Sequence, residues 1–154
     1  MVDKAVVADA DVDEIPRLLL RIARTQEKAW CEALRKAIPN ARRKYNLPLP
    51  AYTDEDYRQL SRGYLSVFEE TVLKTGTTRR DAYIGSVVEG LAKGGIPYTY
   101  VVHVAVGSQA GLMVGWVAEV PDEQRPAAVE WLMAYFADYV ADMIHTGIRL
   151  AARA

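Results

Sequence analysis

The side chains with catalytic potential form three acidic clusters, none with the spacing of a catalytic motif. Asp54-Glu55-Asp56, Glu69-Glu70 and Asp122-Glu123 lie at predicted helix ends or on polar faces, where carboxylates usually cap helices or face water. An enzyme needs a nucleophile, a base and an orienting group that converge in a cleft. The sequence contains no recognisable nucleophile motif and no glycine-rich phosphate loop after a strand. We therefore expect a protein without catalytic activity.

An alternating acidic segment near the N-terminus has some features of a calcium-binding loop. Asp9, Asp11 and Asp13 have the spacing of the first three calcium ligands. That loop also needs Gly at its sixth position and Glu at its twelfth, where this chain has Glu14 and Leu20. We therefore expect no metal site.

Two histidines and one cysteine are the first candidates for a haem ligand. His103 lies in a long uncharged segment, so it is either a ligand or a polar group satisfied near the core. His145 comes late in the last predicted helix and is expected to be partly exposed. Cys31 is expected to be a small packed residue rather than a thiolate ligand. No cofactor is expected.

The aromatic residues have two possible roles, filling the core or lining a small pocket. If haem or another ligand binds, the expected contacts are His103 with Trp30, Tyr64 and Phe68. The full aromatic set that could line such a pocket is Trp30, Tyr64, Phe68, Tyr83, Tyr98, Tyr100 and Trp116.

Three glycines at intervals of four residues indicate a close contact between helices. Gly107, Gly111 and Gly115 would share one face of a helix and allow another backbone to approach. The approaching helix belongs either to the same chain or to a second subunit. Phe136 and Val140, on the apolar stripe of the last predicted helix, are further candidates for a subunit contact.

The length of 154 residues indicates one folded domain, and the balance of charge gives no sign of nucleic-acid binding. The formal net charge is −1, and basic residues form only two short clusters. A single cysteine fits a reducing, cytoplasmic compartment, and no export signal is visible. Residues 94–118 carry no formal charge, but their Pro, His, Gln and Ser side chains favour a buried helix over a membrane span.

Apolar periodicity and capping signals predict an all-α fold with a long C-terminal helix. Residues 1–10 carry no pattern and are expected to be disordered. The first helix should begin near Asp11 or Asp13 and end at Pro39, and a proline-rich connection should span residues 39–52. Capping signals predict two further helices, one starting at Thr53 with Asp56 and ending near Gly76. The next starts at Thr78 with Asp81 and ends at Gly94-Gly95, and the final helix spans residues 121–152.

Residues 98–117 carry conflicting signals. Their many β-branched and aromatic residues, with a possible turn at Gly107–Ala110, favour a β-hairpin. The four-residue glycine spacing favours a helix, and an isolated hairpin among helices would have no sheet to join. We predict a helix.

Three segments of this sequence resemble the N-terminal domain of RsbR-type stressosome proteins. They are TDEDYRQLSRGYLSVFEETV, GLAKGGIPYTYVVHVAVGSQAG and WLMAYFADYVADMI, and the resemblance spans roughly residues 13–150. It implies a globin-like fold of about five or six helices, a homodimer, and a cytoplasmic signalling role. In that family the final helix leads into a STAS domain, and the full-length protein assembles with an RsbS-type STAS scaffold and an RsbT-type switch kinase.

The resemblance also implies a globin-like domain without haem. In oxygen-sensing relatives of this fold, the proximal histidine lies about four residues before a step similar to Gly95-Ile96, and this chain has Leu91 there. We therefore expect a non-catalytic input domain that passes a signal through its dimer and final helix to a STAS effector. The alternative is a globin-type sensor that binds haem or a small molecule.

Overall fold

Helices form every regular element that the computed structural model describes, over residues 14–47 and 51–153. Within these residues there are six α-helices, one short 3-10 turn at Asp122–Gln124 and no strand. The predicted all-α class is therefore confirmed. The helices are α1 Glu14–Thr25, α2 Glu27–Tyr45, α3 Asp54–Val72, α4 Thr78–Lys93, α5 Tyr98–Val117 and α6 Arg125–Ala152. The expectation of disorder at residues 1–10 lies outside the described residues.

The first predicted helix is two helices, and Pro39 does not end it. The break falls at Gln26, and α2 continues through Pro39 to Tyr45. Proline inside a helix costs about 3 kcal/mol. Burial of the flanking Ile38 and Ala41 offsets that cost. The helix ends instead at Asn46, whose left-handed backbone (φ 49°) closes the last turn.

The start of α3 agrees with the predicted capping box, whereas the start of α4 does not. At α3, Asp56 N donates to Thr53 Oγ1 (3.2 Å) and Thr53 N donates to Asp56 Oδ2 (2.8 Å). At α4 the cap residue is Thr77 rather than Thr78, and its side chain accepts no backbone N–H. The buried carboxylate of Glu70, on α3, accepts hydrogen bonds from the backbone N–H groups of Arg79 and Arg80 in the first turn of α4 instead.

The central helix is α5, so the helical prediction for residues 98–117 is confirmed and the hairpin alternative is wrong. Gly95, at φ 71°, makes the turn that separates α5 from α4. The most extensive contact between helices in the fold joins α5 to α2. Packing along that contact overrides the β propensity of the individual residues.

The final helix closes the fold, but it begins later than predicted. Pro121 precedes the 3-10 turn, and α6 starts at Arg125 rather than at residue 121. Its 28 residues give a length of about 42 Å at 1.5 Å per residue. The core lies where α6 meets α3 and α5, around the fully buried side chains Phe68, Leu112 and Leu132.

Candidate functional site

An apolar cavity of about 80 Å³ lies between α2, α3, α4, α5 and α6. Its wall is almost entirely hydrocarbon and aromatic ring, with two neutral polar residues, Ser108 and Gln109. The lining residues are Trp30, Leu34, Ile38, Tyr52, Leu60, Tyr83, Val87, Leu91, Tyr100, Val101, Val104, Ala105, Ser108, Gln109, Tyr139 and Met143. Among the described residues, no charged side chain belongs to this wall.

Two hydrogen-bond donors on cavity-lining residues have no partner among the described residues. Gln109 is 3% exposed, and its Nε2 makes no hydrogen bond. Trp30 is also buried, and its indole Nε1 is unpartnered too. Ser108 differs, because its Oγ donates to Ala105 O at 3.1 Å. A buried donor without an acceptor is unfavourable, and the indole Nε1 of Trp116 in the core is in the same state.

The tyrosines around the cavity remain neutral at physiological pH. Burial raises the pKa of Tyr100 to about 12 and raises the pKa of Tyr139 well above its ordinary value. The site therefore presents neutral groups over the whole physiological range.

A buried cation connects α4 to α6 beside this cavity. Arg80 Nη2 lies 2.6 Å from Asp142 Oδ2, and its guanidinium carbon lies 5.7 Å from the centre of the Tyr139 ring. The Glu70 carboxylate of α3 also binds this turn of α4, accepting from Arg79 N (3.1 Å) and Arg80 N (3.3 Å). The start of α4 is thus fixed to both α3 and α6.

The aromatic residues divide between core and cavity. Trp30 lines the cavity and stacks on Tyr64, with ring centres 4.0 Å apart. Tyr64 and Phe68 do not line the cavity; Phe68 packs against Trp116 and Tyr135 in the core. Of the predicted ligand contacts, only Trp30 belongs to the cavity wall. The sequence could not separate these residues, since aromatic rings at helical spacing suit either role.

The residues around the cavity do not fit haem. Leu91, at the position of the proximal ligand, lines the cavity but offers no donor atom. His103 is absent from the wall and packs edge-on against Tyr45 on the far end of α2, with ring centres 5.9 Å apart. The volume of about 80 Å³ is also well below that of ordinary cofactor pockets, roughly 300–1,000 Å³. Among the described residues, no group of three or more His, Cys, Asp or Glu side chains could hold a metal ion.

The three glycines of α5 face α2 of the same chain. A Cβ atom added at Gly111 would lie 3.1 Å from Ala33 Cβ, and one at Gly107 would lie 3.4 Å from Ala37 Cβ. Gly115 similarly faces Ala29, at 3.5 Å. The close helix approach that the sequence predicted is therefore made within this chain.

An apolar groove on the outside of the molecule lies between α5 and α6. Phe136 and Val140, the other predicted contact residues, both line it. Its most exposed large apolar side chain is that of Val114 (76%), followed by those of Met133 (59%) and Val106 (51%). All its lining residues are uncharged: Val106, Gln109, Ala110, Met113, Val114, Val117, Val129, Met133, Phe136, Ala137 and Val140.

Sequence reasoning missed the α5 side of this groove, although α5 carried a signal for it. A helix that is apolar all round is normally buried all round. Val106 and Val114 break that expectation, because α2 covers only one side of α5. Among the described residues, α5 alone has the length and apolar composition of a membrane-crossing helix, a property that core helices of soluble proteins share.

Comparison of the chain with family models, curated proteins and solved structures finds no match.

Proposed function

We propose that this chain is a non-catalytic sensory input domain of a bacterial stressosome protein. It passes a signal through its dimer and its final helix to a STAS effector. One observation carries the proposal: α6 lines both the cavity and the groove. Tyr139 and Met143 face the cavity, while Phe136 and Val140 face the groove. A change on one side of this helix therefore acts on the other.

The proposed occupant of the groove is a second copy of the chain. An uncharged surface does not select a partner by complementary charge, and large exposed apolar patches mark interaction sites. In a two-fold dimer the same patch meets itself, so an apolar surface is self-complementary without further design. The dimer proposed here thus uses the outer faces of α5 and α6, not the glycine face.

The proposed output element is the last third of α6. Met143 is buried, whereas Ile144 (41%) and Ile148 (63%) are exposed apolar residues beyond it. Tyr98 anchors this part of the helix, since its hydroxyl donates to Met143 O and its ring covers Gly147. Movement of α6 would shift these exposed turns and, through them, a STAS domain. In the full-length protein the proposed partners are an RsbS-type scaffold and an RsbT-type kinase, in the cytoplasm.

Sedimentation equilibrium of the whole chain tests the dimer. Val114→Asp places a carboxylate in the middle of the groove, twice per dimer, and we expect self-association to weaken by about 100-fold or more. Ala82→Asp, on the exposed side of α4, is the matched control and should leave the association constant unchanged. A monomeric wild-type chain, or equal association in both variants, would contradict the dimer.

Signal transfer through α6 is tested by joining the helix to a STAS domain. Inserting two residues at the junction rotates the effector by roughly 200°, whereas inserting seven restores its orientation to within about 20°. We expect phosphorylation of the STAS domain by an RsbT-type kinase to change with two residues and to recover with seven. The same phosphorylation in both proteins would show that α6 does not transmit orientation.

A second candidate function is small-molecule binding, which the apolar cavity between the helices favours. It is compatible with the first, because a bound molecule is one form of signal. Its haem version is disfavoured by the size of the cavity and the position of His103.

A further inference from the structure

We propose that the cavity binds a small apolar molecule of about three heavy atoms, one that carries no charge and makes no hydrogen bond with the protein. This inference deepens the small-molecule-binding role proposed above, and it rests on that role for its physiological meaning. It is carried by the volume of the cavity, the chemistry of the wall and the position of the cavity beneath half-buried side chains.

The volume of the cavity sets the size of the molecule. An engineered apolar cavity of about 150 Å³ in another protein binds benzene, which has six carbon atoms. The cavity here measures about 80 Å³, roughly half of that. A molecule of about three heavy atoms fits this space, whereas a benzene ring or a long acyl chain does not.

The wall of the cavity excludes charge. Among the described residues, none that lines it is a Lys, Arg, Asp, Glu or His. A charged molecule would lose its hydration without gaining a counter-ion, which is strongly unfavourable. The occupant is therefore neutral.

The polar groups of the wall are not arranged to bind a polar molecule. Ser108 Oγ already donates to Ala105 O. The unpartnered Gln109 Nε2 and Trp30 Nε1 each have less than 1 Å² of accessible surface, so they offer no donor to an occupant. A buried water molecule needs about two to four polar partners, and apolar cavities stay dry. Because only a small part of the cavity surface is polar, an apolar molecule is favoured over water or an alcohol.

One side of the wall lies close to the protein surface. The lining residues from α2 and α6 are all buried, as Leu34, Ile38 and Met143 illustrate. Those from α3 and α4 are all half-buried: Leu60, Tyr83, Val87 and Leu91. A small molecule therefore enters from solvent past α3 and α4 and binds against α2 and α6.

Binding of xenon and propane to the whole chain, followed by NMR shifts of methyl groups, tests the site. Xenon is a single apolar atom, and propane has three carbon atoms and no polar group. We expect both to shift the methyl signals of Leu34, Val101 and Met143, which are buried and line the cavity, and to saturate. Shifts that do not saturate, or that occur only at Val114 and Met133 in the external groove, would overturn the site.

Ethanol tests the chemical class of the ligand. It has three heavy atoms, as propane does, but its hydroxyl group would be buried without a partner. We expect its affinity for the cavity to be at least about tenfold lower than that of propane. Ethanol that binds as tightly as propane would contradict an apolar site.

Filling the cavity tests where the probes bind. Ala105→Leu adds three carbon atoms to the wall and should abolish binding of both xenon and propane. Val87→Ile adds one methylene group at a half-buried position, which disturbs the fold less, and should weaken binding of both. Ala92→Leu, exposed on α4 and outside the wall, is the matched control and should bind as the wild type does. Unchanged binding in folded Ala105→Leu or Val87→Ile would place the probes elsewhere and refute the assignment.

Val114→Asp separates this site from the proposed dimer. The substitution lies in the external groove, so the variant should bind propane as tightly as the wild type does. Loss of propane binding in the variant would place the probe in the groove and contradict the cavity site.

The oligomeric state of the wild type gives the second comparison. Saturable shifts at Leu34 and Met143 in a chain that sedimentation shows to be monomeric would support the site and contradict the dimer. A dimeric chain whose buried methyl signals show no saturable shift would refute the site and leave the proposed dimer standing.

Discussion

The buried tyrosine hydroxyl group of Tyr135 makes the stability of this protein fall at alkaline pH. Tyr135 is 5% exposed, packs between Phe68 and Trp131, and has its pKa raised by burial to about 12 from the ordinary 10.0. The unfolded chain therefore loses this proton at lower pH than the folded protein does. The stabilisation that results is fully present below pH 10 and disappears as the pH rises towards 12.

Tyr135→Phe is expected to reduce the loss of stability at high pH. Between pH 8 and pH 11.5, ionisation of this one side chain in the unfolded state lowers the free energy of unfolding by about 2 kcal/mol. Urea unfolding at the two pH values should give a loss that is smaller by that amount in the variant. Absorbance at 295 nm provides the independent check, since the folded wild type should retain protonated tyrosine that the variant lacks. Equal losses in both proteins would mean that Tyr135 ionises normally in the fold.

At the scale of elements, the contact between α2 and α5 organises the molecule. Small residues on both sides, alanines on α2 and glycines on α5, allow the two backbones to approach closely. This approach buries one side of α5 and leaves the opposite side on the surface. The groove is therefore a consequence of how α5 packs against α2.

Gly111→Leu should destabilise the fold by about 1–3 kcal/mol, because a side chain there would push α2 away from α5. Gly90→Ala is the matched control, since a Cβ atom at Gly90 on α4 would meet nothing within 4 Å. It should stabilise the protein by about 0.5–1 kcal/mol through lower backbone entropy in the unfolded chain. Thermal and urea unfolding measure both changes. A Gly111→Leu protein as stable as wild type would show that the helices are not closely packed there.

At the scale of the whole molecule, α6 lies between an internal space and an external surface. The proposed sensory role needs an element whose position depends on both an input and an output, and α6 lines both the cavity and the groove. The ion pair of Arg80 with Asp142 and the contact of Tyr98 with Met143 attach this helix to α4 and α5. Its movement would therefore be shared with the elements around the cavity.

A haem titration followed by absorption spectroscopy is expected to give no sharp, saturable Soret band. The cavity of about 80 Å³ is too small, Leu91 cannot ligate iron, and His103 lies outside the wall. His103→Ala is the informative variant. A saturable band in the wild type that disappears in this variant would contradict the proposed non-haem sensor and support the haem alternative.

Local features were largely determined by the sequence. The capping box at Thr53 and Asp56, the apolar faces of the helices and the long final helix all follow from interactions within a few residues. Such interactions are available to the chain before it folds, so the pattern of residue types is enough to predict them. The close approach along Gly107, Gly111 and Gly115 was predictable for the same reason, but its partner was not.

Only the tertiary structure decided the remaining features, because burial and long-range hydrogen bonds depend on residues far apart in the chain. Packing against α2 made α5 a helix despite its β propensity, and burial around Pro39 carried α2 past a residue that normally ends helices. Glu70, eight residues before Thr78, replaced the local cap expected at α4. The cavity is likewise defined by where several helices fail to fill the space between them, which no single segment encodes.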